Sequence, residues 1–251
     1  MASWMVHLRV GDRVFEQLFD ILPHELIVGN IAPDCGVPNE DWSVFTPSKE
    51  ISHFKNDVGD SDQLAENFAK KYLHGRTHTN EEFSFYLGYY VHLVTDVLWY
   101  KRIYQMTKEK FWEQFEKDKE FIWEVKKDWY DLDFRFLRSN PEFWPFDELK
   151  KANEFKNSYM KEFDESAFAD RIKYIVEFYE SSVRDLDREY PYLNEKEADK
   201  FVEETVAYIL SDDILGKFTV TKDYMSCLPE EIKKHIDGEP FIIEHIGCSR
   251  Y

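Results

Sequence analysis

Residues 83–100 read FSFYLGYYVHLVTDVLWY and decide the fold. Apolar and aromatic side chains fill most of the 18 positions, the most apolar stretch of the chain, and the segment reads as helix. Its length approaches a membrane span, but His92 and Asp96 sit inside it and the rest of the chain is highly charged. A buried central helix of a water-soluble protein fits better than a transmembrane segment. Just before it, Thr79-Asn80-Glu81-Glu82 has the form of a capping box, which places the helix over about 80–105.

Working outward, residues 3–20 carry Met5, Leu8, Phe15, Leu18 and Phe19 at helical spacing. Pro23 and Gly29-Asn30 close that region. Residues 29–60 hold Pro33, Gly36, Pro38, Pro47 and Gly59 and read as a long irregular loop of the kind that often carries function. Further helices are expected at 62–73, 108–130, 147–162 and 165–187, and from the capping signal Asn194-Glu195-Lys196-Glu197 to about 210. Residues 211–251 are less regular, with a short helix at 229–236 and a coil or strand through Phe241-Ile242-Ile243. The expectation is one all-α domain over 1–251, with Ser139-Asn140-Pro141 as the boundary to test.

The 251 residues carry 43% apolar and 17% aromatic side chains, enough for a large core. The formal net charge of −18, with no basic block, argues against a nucleic acid polymer as partner. Cys35, Cys227 and Cys248 make no CxxC pair, as in a reducing compartment. Residues 1–25 are broken by Asp12, Arg13, Glu16 and Asp20, unlike an export signal, so a cytoplasmic location is expected.

His92 and Asp96 lie four apart on the central helix, so an imidazole nitrogen and a carboxylate oxygen share one face and can hold one cation. By itself such a pair equally describes a buried histidine hydrogen-bonded to aspartate. Gly88, one turn earlier, removes bulk from that face. Asp34 follows the turn-rich Gly29-Asn30-Ile31-Ala32-Pro33, His53 sits in Ser52-His53-Phe54, and His7 lies near the apolar face of the first helix. Each alone reads as an ordinary turn aspartate or core histidine. Together, three histidines and two aspartates on two helices and a loop can surround one point. Imidazole and carboxylate ligands suit zinc and also admit iron or manganese. His24, His74, His78, His235 and His245 lack such patterns and read as surface or structural.

His7, GNIAPD around Asp34, SHF around His53 and FYLGYYVHLVTDVLW around His92 and Asp96 resemble, in order and spacing, the zinc-dependent phospholipase C family, which is similar in fold to the P1-type nucleases. The resemblance covers about residues 1–105. It implies an all-α fold with zinc ions in a cleft between helices. Asp34, His53, His92 and Asp96 then match the ligands of one zinc, and Asp96 also matches a bridge to a second, where His7 matches a ligand. Two features depart from the family. Secreted members use an N-terminal Trp as ligand, whereas Met1-Ala2-Ser3 precede Trp4 here. A further zinc site of two histidines and a glutamate has no counterpart, since no histidine lies between His92 and His235. One zinc is expected, with room for a second.

The function so implied is metal-dependent hydrolysis of a small or lipid-derived phosphoester, with Asp34 orienting or deprotonating the attacking water. The alternative is a non-catalytic metal protein with a degenerate site. An HD-domain phosphohydrolase is disfavoured, since no adjacent His-Asp doublet occurs. Lys55 and Arg76 are near enough in sequence to meet a phosphate, although each also reads as a solvated cation. Trp99, Trp112, Trp123, Trp129 and Trp144 offer pocket walls or core. Neither set receives a role.

Overall fold

The central helix, α5, spans Asn80–Trp99 in a computed structural model that describes residues 1–55, 63–74, 76 and 78–211. Its capping box forms as the sequence predicts: Glu82 N–H donates to Thr79 Oγ1 at 3.3 Å and Thr79 N–H to Glu82 Oε2 at 3.1 Å. From Ser84 to Asp96 every residue is buried, as an all-round apolar helix requires. A wider π turn, Tyr100–Tyr104, carries the helix into α6 (Gln105–Lys110).

Around α5 pack α1 (Trp4–Gln17), α2 (Pro23–Ile31), α4 (Leu64–Tyr72) and α11 (Glu195–Ser211). The described residues are helical but for connecting loops and a two-residue ribbon, Val37–Pro38 against Phe45–Thr46. The fold is all-α. No helix among them is long and apolar enough to cross a membrane.

The tightest packing is α2 on α5. A Cβ at Gly29 would lie 2.0 Å from the Phe85 carbonyl oxygen, and one at Gly88 would lie 2.1 Å from the Leu26 carbonyl oxygen. The two glycines let the backbones touch, which side chains at either position would prevent. This corrects the loop expected over 29–60. Gly29 and Asn30 belong to the last turn of α2, a 3₁₀ turn follows at Ala32–Asp34, and α3 occupies Lys49–Ser52. Gly88 likewise makes room for the α2 backbone rather than for the site.

Other boundaries move too. The helix expected over 108–130 is divided at Phe111 and Asp118 into α6, α7 (Trp112–Lys117) and α8 (Phe121–Ser139). The one expected over 147–162 is α9 (Trp144–Lys151) plus a 3₁₀ turn to Glu154. There the Asn157 side chain takes over the backbone, donating to the Met160 and Phe163 carbonyls and accepting from Tyr159 and Met160 N–H. α10 runs Ala167–Ser181, shorter than 165–187, and α4 begins at Leu64. The Asn194 capping signal forms, with Glu197 N–H donating to Asn194 Oδ1 at 3.1 Å. The expected elements at 229–236 and 241–243, with Cys227, Cys248, His235 and His245, lie outside the described residues.

Trp99 and Trp129 meet edge to face in the core, while Trp112 and Trp123 are exposed. Trp144 donates to Asp12 at 2.6 Å. None of these five lines the centre described next.

Candidate metal centre

Four elements bring the five residues together. α1 carries His7 at the close of its first turn, the 3₁₀ turn after α2 carries Asp34, the end of α3 carries His53, and α5 carries His92 and Asp96. All five side chains are buried. Asp96 stands at the middle: Oδ1 lies 3.4 Å from His7 Nε2, and Oδ2 lies 3.5 Å from His53 Nε2 and 3.8 Å from His92 Nε2. Asp34 Oδ1 lies 3.6 Å from His53 Nε2. The His7 and His92 rings stack, with centroids 3.7 Å apart.

The remaining atoms of these side chains are fixed by neighbours. His92 Nδ1 faces the Asn30 carbonyl oxygen at 2.7 Å. A carbonyl only accepts, so the proton sits on Nδ1 and Nε2 presents a lone pair to the centre. His53 Nδ1 is held by Ser52 Oγ at 2.9 Å. Asp34 Oδ2 accepts from Trp4 Nε1 at 3.0 Å, and Asp96 Oδ1 from the Ala2 N–H at 2.8 Å.

What is left over defines the site. His53 Nε2, His92 Nε2, Asp34 Oδ1 and both His7 nitrogens are buried without a hydrogen-bond partner. Buried polar atoms are nearly always satisfied, and here Asp34, His53 and His92 turn such atoms to within 4.8 Å of one another. Lone pairs at such spacing repel unless a cation lies between them. Bonds of about 2.0–2.1 Å to a tetrahedral zinc put donor atoms roughly 3.3 Å apart, close to the spacings seen here. Two groupings have ligand atoms within 4.8 Å of one another: Asp34, His53 and His92, and His7, His92 and Asp96. The donor set therefore fits a transition metal, and the two oxygens of Asp96 face the two groupings from one carboxylate.

Electrostatics keeps the ligands ready. Burial would raise Asp34, but Lys49 with Nζ at 3.8 Å, then the His92 and His53 imidazoles, outweigh it and hold the carboxyl at about 2. Burial, reinforced by His7, lowers His92 to about 3. At neutral pH Asp34 is thus anionic and His92 neutral, the forms that bind metal.

Residues 6–114 match the family model of zinc dependent phospholipase C. The matched segment contains all five residues and spans somewhat under half of the chain. No curated protein and no solved structure matches the chain. The zinc dependent phospholipase C family resemblance and the ligand geometry thus fall on the same stretch, α1 through α6.

Several neighbours of the centre escaped the sequence reading. Trp4, Asn30 and Ser52 each hold a candidate ligand side chain, a role that the motifs containing or flanking them do not spell out. Lys49, four residues before His53, is the cation beside Asp34. Lys55 and Arg76, the sequence candidates for meeting a phosphate, are exposed and take part in neither metal grouping; their charges register at Glu50 and Tyr86 instead. His24 pairs with Glu148 and His78 with the Tyr72 carbonyl, structural roles as expected.

Proposed function

We propose that the protein is a zinc-dependent hydrolase of phosphoester bonds, acting on a small or lipid-derived phosphoester. One observation carries the reading: His53 Nε2, His92 Nε2 and Asp34 Oδ1 are buried, unpartnered and aimed at a common point. Asp34, His53, His92 and Asp96 would hold the metal, with His7 beside Asp96 offering a second position. When bound, zinc supplies a Lewis acid that lowers the pKa of water and neutralises charge on phosphoryl oxygens.

The chain's own groups do the rest. Trp4 and Lys49 fix Asp34, leaving Oδ1 to accept a hydrogen bond from the attacking water. Held anionic by Lys49, Asp34 orients the attacking water or takes up its proton. The Asn30 carbonyl holds the His92 tautomer, and α2 is in turn held on α5 by the Gly29 and Gly88 contacts. The wall of the centre is therefore rigid backbone.

The test is elemental analysis of protein purified without added metal, alongside hydrolysis of bis(p-nitrophenyl) phosphate. Near-stoichiometric zinc and chelator-sensitive turnover are expected, with both lost in His92→Ala. Zinc without turnover would favour a non-catalytic metal protein, and wild-type protein carrying less than about a tenth of an equivalent of any transition metal would defeat the reading.

A further inference from the structure

On a chain of net charge −18, cations collect on the Asp34 side of the metal centre. Lys49 Nζ lies 3.8 Å from Asp34 Oδ1. Lys126 approaches from α8. It heads a stripe, Lys126, Tyr130 and Asp133, at helical spacing i, i+4, i+7. The far end of this stripe is pinned to the start of α1, where Ser3 Oγ–H donates to Asp133 Oδ1 at 2.7 Å, next to the Ala2 N–H that holds Asp96. Lys126 is half-buried over the Trp123 ring at 4.5 Å and has no carboxylate within ion-pair distance among the described residues. Burial, with Lys49 adding to it, lowers its pKa, while Asp34 opposes the change.

Arg171 completes the set. Its guanidinium lies 5.3, 5.2 and 4.7 Å from the ring centroids of Trp4, Trp42 and Tyr174, and its Nε is buried without a partner. Aromatic faces of this kind are what recognise a quaternary ammonium. Here the chain's own cation occupies them, and one of the rings, Trp4, donates to Asp34, beside which Lys49 stands. A choline-type head would meet repulsion where it needs an open cage.

We infer that Lys49, Lys126 and Arg171 form an anion-binding rim on the metal centre, which selects a net-anionic phosphoester over one with a zwitterionic, quaternary-ammonium head. This rests on the centre being a phosphoester hydrolase, and the test separates the two ideas. Lys126 is the residue to change, because it touches none of the five candidate ligands. Wild type, Lys126→Met and Lys126→Arg are compared on four compounds: glycerophosphoglycerol and glycerophosphocholine in solution, and dihexanoyl phosphatidylglycerol and dihexanoyl phosphatidylcholine as short-chain lipids. In wild type the glycerol head should lead the choline head in kcat/KM by about tenfold within each pair, the effect of a modest charge interaction near a protein surface. The lead should shrink toward parity in Lys126→Met and survive in Lys126→Arg. Whichever pair turns over faster identifies a soluble or a lipid source. A choline preference, or a glycerol preference that Lys126→Met leaves intact, overturns the rim.

If none of the four is hydrolysed, the hydrolase reading fails on these substrates but the rim is still tested by calorimetric binding of inorganic phosphate. Affinity at low salt should fall about tenfold in Lys126→Met, with and without zinc, and recover in Lys126→Arg. Equal phosphate affinity in all three proteins would end the proposal.

Discussion

Two clusters of buried acids make an instructive pair. On α8, Asp128 and Asp131 are closed by Arg188, whose guanidinium reaches Asp128 Oδ1 at 2.7 Å and Asp131 Oδ2 at 2.6 Å. Arg184 takes Asp131 Oδ1 at 3.2 Å, and the Tyr192 and Leu193 N–H groups take Asp128 Oδ2. Every oxygen there has a partner from the chain itself. At the centre on α5, by contrast, Asp34 Oδ1, His53 Nε2 and His92 Nε2 have none. Both clusters are buried and acidic. The difference shows that burial of carboxylates does not mark a binding site; what marks it is hydrogen-bonding capacity left open and convergent. The α8 cluster ties the 182–194 segment to the helix, whereas the α5 cluster leaves its donor atoms open toward one another.

The comparison can be broken most sharply at the open cluster. Stripping metal with a chelator, or making His92→Ala, should lower phosphodiester turnover by roughly 10³-fold or more, since the lost Lewis acid supplies several kcal/mol in the transition state. Undiminished turnover by metal-free protein would erase the distinction between the clusters. At the closed cluster the effect should fall on folding instead. Arg188→Met leaves Asp128 Oδ1 and Asp131 Oδ2 without their partner and should cost about 3 kcal/mol in urea unfolding, with metal content per folded molecule unchanged.

Trp4→Phe sharpens the contrast from within the centre. It removes the hydrogen bond to Asp34 Oδ2 and keeps the aromatic packing, so zinc affinity or turnover should drop about 10- to 100-fold while unfolding changes little. The smallest effect belongs to Asp133, a third kind of buried acid. Burial raises it from 3.8 to about 7 against the hydrogen bonds from Tyr179 and Ser3. The folded state thus holds a proton that the unfolded chain has released, and stability falls as pH rises from about 4 through about 7. Asp133→Asn should flatten that decline and raise the melting temperature by a few degrees above neutral pH. An unchanged pH profile would show that Asp133 is ionised throughout.

What could be read in advance follows the range of the interaction. The Thr79–Glu82 capping box, the buried α5 and the shared face of His92 and Asp96 depend on residues three or four apart, and helix geometry alone relates them. The same local reasoning misplaced Gly29, treated as a loop signal, because its use is a backbone contact with Phe85, far away in the chain. It named Lys55 and Arg76 as near enough in sequence to meet a phosphate, without giving them a role, whereas the cation paired with Asp34 is Lys49.

By itself the amino-acid order determined an all-helical chain, the choice of His7, Asp34, His53, His92 and Asp96 as candidate ligands, and the placement of two of them on one helix face. Only the tertiary structure decided that all five meet, that Trp4, Asn30 and Ser52 hold three of their side chains, and that Lys49 stands beside Asp34. The reason is physical: a helix repeats every 3.6 residues and carries its own hydrogen bonds, but a convergent site exists only when separate helices pack at a distance set by residues such as Gly29 and Gly88.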